Sequence, residues 1–183
     1  MILEKRRIYS MIIKIFILIM IVILSTLIGF QYSENAKYRV KHLKGILNSI
    51  VYLQNEIFYR LTPLSEAMNL VSQKVDPPVS DLFNDIAINL NDERIYEIKQ
   101  AFIEAIKTNK NEFSLEKEDF DILVEFSRSL GTTDLDGQMK IFDMAVENLK
   151  NNLKSASDKA DKNIKMYRTL GLCIGLMIAI FLI

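Results

Sequence analysis

Both ends of this chain are apolar and its middle is not. Residues Ile8–Phe30 form an almost unbroken apolar run, Leu170–Ile183 form a second, and a long charged stretch separates them. The first run carries one charge, Lys14. As a helix it would be about 34 Å long at 1.5 Å per residue, enough to cross a hydrocarbon core of roughly 30 Å. Lys14 stands near one end, where its stem can reach the headgroups, and Tyr9 and Tyr32 flank the run as interfacial aromatics do. Lys5, Arg6 and Arg7 would also suit a cleaved leader, but Gly29-Phe30-Gln31-Tyr32 is bulky where a small-x-small site is needed, which favours a retained anchor. The second run is about 21 Å as a helix. It spans only with length borrowed from the turns bearing Lys165 and Arg168, or with a thinned bilayer; a half-inserted end is the alternative.

The expected division is an anchor over 1–33, a water-soluble helical bundle over 34–169 and a membrane segment over 170–183. If both runs span, the termini share one side. Lys5, Arg6 and Arg7 mark that side, and they are outnumbered on the other by Lys37, Arg39, Lys41 and Lys44 and by Lys154, Lys159, Lys162, Lys165 and Arg168. Lys/Arg bias therefore puts the bundle in the cytoplasm.

Composition removes several classes of function. There are 23 basic and 23 acidic residues, so the net charge is zero and a nucleic-acid partner gains no support. The single cysteine, Cys173, lies in the second apolar run, leaving no disulfide framework and no Cys metal site. The single histidine, His42, is expected to be a solvated surface residue. No serine occupies a nucleophile elbow and no glycines form a phosphate loop, so no small-molecule substrate, cofactor or metal is expected. The acids Glu116, Glu118, Asp119 and Asp121 are read as dipole and capping residues of a helix start.

Apolar positions recur at three and four, so the fold class is all-α: an antiparallel bundle of two long helices and about four shorter ones. The first helix runs from about Glu34 to Arg60 with a seam of Val40, Leu43, Leu47, Ile50, Gln54, Ile57 and Leu61. Thr62 caps the next helix, Pro63 takes its first position, and Leu64, Ala67, Met68 and Val71 face inward. Asp76-Pro77-Pro78 opens a third helix whose face is Val79, Leu82, Phe83, Ile86 and Leu90. A fourth runs from about Glu93 to Lys107, burying Ile95, Ile98, Phe102, Ala105 and Ile106, and Thr108–Phe113 reads as a loop. Ser114 caps a fifth helix with Leu115, Leu123, Phe126 and Leu130 in the core, and Gly131 stops it with positive φ. Asp134 then starts a single helix of roughly 50 residues that runs into the second apolar segment. Its seam is Leu135, Met139, Phe142, Val146, Leu149, Leu153, Ala156, Ala160, Asn163, Tyr167 and Leu170. The stripes are read first as intramolecular core; self-association through the Ala-rich lower half is the second reading.

Three patches resemble the stage III sporulation protein AB family of endospore-forming bacteria. Glu56-Ile57, Tyr59 and Thr62-Pro63-Leu64 with Glu66-Ala67 match its E-I-x-Y-x-x-T-P-L-x-E-A signature. Phe126, Leu130-Gly131, Asp134 and Gln138 match F-x-x-x-L-G-x-x-D-x-x-x-Q, and Met166–Gly171 leads into a terminal apolar run. The likeness covers essentially the whole chain and departs at Met1–Tyr9, which is longer and more charged. It implies a protein of the outer forespore membrane whose bundle faces the mother-cell cytoplasm. It also implies a place in the multiprotein channel between mother cell and forespore, with the other stage III A proteins, including a secretion-type ATPase, as partners. Thr62–Ile106 bears a fainter, fold-level likeness to the cytoplasmic bundles of type II secretion and type IV pilus platform proteins. The leading function is therefore a non-enzymatic docking platform. The other reading is a sensor with two membrane helices bracketing an extracytoplasmic ligand domain. Candidate interface residues are Thr62, Pro63, Leu64, Leu130, Gly131, Asp134 and Gln138; each also serves as a cap or turn that sets helix angles.

Overall fold

Prolines and one glycine mark three of the five breaks between the described helices, those at Pro63, at Pro77-Pro78 and at Gly131. The structure, a computed structural model, describes residues 2–92 and 97–182; along 2–33 and 163–182 it describes only a few side chains. Among the described residues there are six α-helices and no strand. They are α1 (Ile2–Phe58), α2 (Leu64–Ser72), α3 (Val79–Leu90), α4 (Ile98–Asn109), α5 (Lys117–Ser129) and α6 (Leu135–Leu182). A single 3₁₀ turn, Lys110–Glu112, follows α4. The fold is the expected all-α one, with two long helices and four short ones. Its helices divide between two units, one comprising Lys37–Ser157 and the other the outer residues up to Ala36 and from Asp158 onward.

In the Lys37–Ser157 unit, α1 and α6 run antiparallel. Arg39 and Asn152 share a partner at one end, Gln54 donates to Asp143 at 3.3 Å further along, and Phe58 meets Phe142 edge to face at 5.4 Å. Phe142 also packs on Phe126 at 4.9 Å, and Phe126 on Phe102 at 6.3 Å. This edge-to-face chain ties α1, α6, α5 and α4 together; each such ring pair adds about 0.5–1.5 kcal/mol beyond its buried area. Between α3 and α4, Asn89 donates to the Ala101 carbonyl, and Asn109 to Asp85 and its own Ala105 carbonyl. These bonds satisfy polar groups where the two helices close on each other.

The buried stripe of α1 differs from the expected seam. Leu43 and Ile50 are buried, but so are His42, Ile46, Ser49, Leu53 and Glu56, while Leu61 is 79% exposed. The helix faces α6 on one side and the short helices on another, so its apolar face is wider than a two-helix seam. Gly45 permits close packing on α3, because a Cβ there would stand 3.0 Å from Val79 Cγ2. The α6 seam is buried at Phe142, Leu149 and Ala156, but Leu135 and Met139 are exposed. Phe142 pairs with the last residue of α1, so the residues before it extend past the end of that neighbour.

Several boundaries also moved. The helix expected from about Glu93 begins at Ile98; Ile95 lies outside the described residues. The expected loop at Thr108–Phe113 is helix to Asn109 and then the 3₁₀ turn, because Asn109 is tied into the α3–α4 contact. The first helix does not start near Glu34 but is continuous from Ile2. No helix among the described residues is long and apolar enough to cross a membrane. Most side chains of the two terminal apolar runs, with Asn163, Tyr167 and Leu170, lie outside the described residues.

Candidate functional site

Two charged clusters and one exposed end organise the Lys37–Ser157 unit. The first cluster centres on Asp119, whose side chain is fully buried. Asp119 is the third residue of α5 and accepts from the Glu116 amide at 2.9 Å, half of a capping box with Glu116. Its carboxylate also accepts from Arg39 Nε at 2.9 Å, Arg39 Nη2 at 3.1 Å and Asn152 Nδ2 at 2.8 Å. Arg39 Nη1 pairs in addition with Glu116. Burial works against the arginine's charge, but the hydrogen bonds and charges of Asp119 and Glu116 outweigh it and raise its pKa. A two-pronged arginine–carboxylate pair fixes orientation as well as distance, so α1, α5 and α6 are locked at one level. The dipole reading of Asp119 was thus too local. The acid does cap α5, but its main partners come from helices far away in sequence.

His42, one turn beyond Arg39, is not solvated. It is 7% exposed, its Nδ1 accepts from the Ser114 amide at 3.2 Å, and it stands edge-on to Phe113 at 5.3 Å. Burial, with Lys41 nearby, lowers its pKa and keeps the ring neutral. Ser114 therefore gives its amide to His42, and the cap of α5 falls to Glu116 instead.

The second cluster sits where α1 ends. Glu56, 2% exposed, accepts from Lys74 Nζ at 2.7 Å and faces Arg60 Nη1 at 3.4 Å. Lys74's hydrogen bond, opposed by burial and helped by Arg60 and the Thr62 hydroxyl, lowers the Glu56 pKa. Thr62 is consequently turned back toward Glu56, its amide donating to the Glu56 carbonyl, and it does not cap α2. Pro63 takes the cap position itself, and its carbonyl accepts the first intrahelical bond from Ala67. Leu61 turns this corner in the left-handed region at φ 55°.

The corner carries the first sequence signature, and the second lies at the same end of the unit. Phe126, one turn before Leu130, contacts Phe142, which contacts Phe58 at the end of α1. Leu130 is buried, Gly131 has φ 75°, and Asp134 caps α6 through its Oδ1, which accepts from the Gly137 amide at 3.1 Å. Gln138 Nε2 reaches back to the Thr133 carbonyl. Thr62, Pro63, Leu64, Leu130, Gly131, Asp134 and Gln138 are thus gathered where α1 and α5 stop and α2 and α6 begin. Exposed apolar side chains crowd the same end: Tyr59 at 81%, Leu61, Leu135 and Met139. Sequence reasoning missed Arg39, Glu56, Lys74 and Asn152; the absence of acids on α1 between Asn35 and Asn55 was the available signal that its cations look elsewhere.

Among the described residues no group of three or more His, Cys, Asp or Glu is arranged to hold a metal. Fold and site together define a small all-α bundle whose Lys37–Ser157 unit is built on two antiparallel helices, with ion pairs in its interior and two of the three signature patches at one end. Residues 14–183 match the model of the family described as stage III sporulation protein AB, and the chain belongs to that family. It is a family of sporulation proteins, and membership lends no support to the sensor reading. The chain is 28% identical over 164 residues to stage III sporulation protein AB of Bacillus subtilis (strain 168), covering 90% of this chain and 95% of that one. A solved structure of a stage III sporulation protein AB superposes with a TM-score of 0.63 at 25% identity, over 68% of this chain and 97% of the other.

Proposed function

We propose that this chain is a membrane-anchored, non-enzymatic assembly component of the sporulation channel between mother cell and forespore, and that it docks partners through the motif-bearing end of its helical bundle. The observation that carries this is the placement of Tyr59 and Leu61. Both are large, apolar and about four-fifths exposed; Tyr59 is a fixed position of the Glu56–Ala67 signature and Leu61 lies within its span. Exposed apolar side chains clustered with fixed turns mark interaction sites. The partners on this reading are the other stage III A proteins, including the secretion-type ATPase. Anchoring in the outer forespore membrane, with the bundle in the mother-cell cytoplasm, is part of the same proposal. It is supported by Phe16, Ile19, Met20, Ile23 and Leu24 of α1, which recur at helical spacing and are all more than half exposed, a stripe that lipid would cover.

A photo-crosslinking residue at Tyr59, introduced into the chain in sporulating cells, tests the docking reading. Adducts with another stage III A protein, lost on Leu61→Asp together with heat-resistant spores, are expected. If no adduct forms and Leu61→Asp sporulates normally, the docking end is misassigned. A reporter fused at Asn111 tests topology separately, and extracytoplasmic activity there would overturn the cytoplasmic placement.

A further inference from the structure

Away from that end, a cleft of about 230 Å³ runs between α1 and the turn joining α2 to α3. One wall extends along α1 from Lys41 to Tyr52, and the other is the Lys74–Val79 stretch. Gly45 forms its floor, since the missing Cβ lets Val79 approach. The wall on α1 is about 16 Å long at 1.5 Å per residue, the span of about five residues of extended chain.

The charge around this cleft is one-sided. From Asn35 to Asn55, α1 carries no acid, and of its cations Arg39 is committed to Asp119 and Glu116. Lys41 and Lys44 are exposed on the cleft wall, one turn apart, where like charges repel each other. Lys74 stands on the other wall, 5.6 Å above the Tyr52 ring, its charge met by Glu56 at 2.7 Å, so Lys41 and Lys44 carry the positive charge of the cleft. Asp76 is the one carboxylate among the lining residues. A chain with no net charge therefore concentrates cations here, over an apolar floor, with the Asn48 amide and the Tyr52 hydroxyl available for hydrogen bonds.

We propose that this cleft is a docking groove for a short acidic segment of a partner protein, with carboxylates set between Lys41 and Lys44 and apolar side chains laid on Gly45 and Val79. A free phosphate would satisfy the lysines but leave the elongated floor bare. The cleft is smaller than pockets that enclose a drug-sized ligand, which start at about 300 Å³. A narrow, open, basic groove with an apolar floor matches a peptide laid along it. The groove and the motif-bearing end are separate surfaces, and loss of one leaves the other's assay unchanged.

The test uses the full chain in zwitterionic detergent micelles and a fluorescent peptide of alternating Glu and Leu, with a Gln/Leu peptide as its uncharged counterpart. The acidic peptide should bind, the Gln peptide should not, and affinity should fall about tenfold or more between about 0.05 M and about 0.5 M salt. K41E/K44E should weaken binding at least about tenfold, as reversal of paired rim charges does, and K117E/K150E, at two lysines that do not line the cleft, should not change it. K41Q/K44Q should give an intermediate loss and keeps the test alive if the charge reversal disturbs folding. The proposal is overturned if the acidic peptide fails to bind, if it binds the K41E/K44E and K41Q/K44Q variants as tightly as the parent, or if inorganic phosphate or dioleoylphosphatidylglycerol vesicles occupy the cleft in its place.

Discussion

Arg39 and Asp119 lie eighty positions apart and meet through two parallel hydrogen bonds, Nε to Oδ2 at 2.9 Å and Nη2 to Oδ1 at 3.1 Å. Removing one member of such a buried pair strands the other, at about 3–5 kcal/mol. Asp119→Ala should therefore destabilise the protein by that order, and it also deprives Asn152 of its acceptor. Urea unfolding of the single variants and of R39A/D119A closes a double-mutant cycle. The double variant should lose clearly less than the two single losses combined. Additive losses would mean that the pair makes no cooperative contribution.

Acid should weaken the bundle in two steps. The folded-state pKa of His42 lies below its ordinary 6.5 because of burial and Lys41. The unfolded chain therefore binds the proton first, and stability falls as pH drops below about 6.5 toward the folded value. The geometry agrees, since protonating Nδ1 would break its bond from the Ser114 amide. Glu56, depressed chiefly by its hydrogen bond from Lys74, adds a second loss below its ordinary 4.5. His42→Gln keeps an acceptor for Ser114 without a titrating ring, so it should flatten the fall in melting temperature just below about pH 6.5 while leaving the lower step. An unaltered slope in that variant would remove His42 as the cause.

The punctuation of this fold was legible in the sequence and its interior wiring was not. Asp134 and Gly131 act through local backbone geometry, which a short window contains. An aspartate in the first turn of a helix carries the same local signature whether it meets water or an arginine from another helix. Asp119 was for that reason read as a simple helix-start acid. Thr62 shows the same limit: a threonine before a proline signals a cap, but here its amide is tied back to the Glu56 carbonyl and its side chain makes no cap bond. The breadth of the α1 stripe depended on how many helices pack around it, which periodicity alone does not record.

Gly131 ends α5 with φ 75°, and a Cβ there would stand 3.6 Å from Ile98 Cδ1, an ordinary contact. A side chain at this position is thus opposed by backbone strain and not by crowding. Gly131→Val should lower stability by about 1–2 kcal/mol, the left-handed cost for an L-residue, and Gly131→Ala by a similar amount. A melting curve unchanged by both would refute the turn.

Leu61 has the opposite problem. It is a leucine held at φ 55° with its side chain exposed, so no burial within the chain offsets the strain. Relief of about 1–2 kcal/mol of left-handed strain, less about 0.5–1 kcal/mol for the freer unfolded glycine chain, leaves a net gain. Leu61→Gly should accordingly raise stability by roughly 0.5–1 kcal/mol in urea unfolding. Strained residues persist where function holds them, and on the docking reading Leu61 is retained for the contact its side chain makes with a partner. The same variant should then lose the Tyr59 cross-link in sporulating cells while folding better than the parent. Gain of stability with the cross-link intact would separate the strain from docking, and a loss of stability would show that the leucine side chain serves the fold itself.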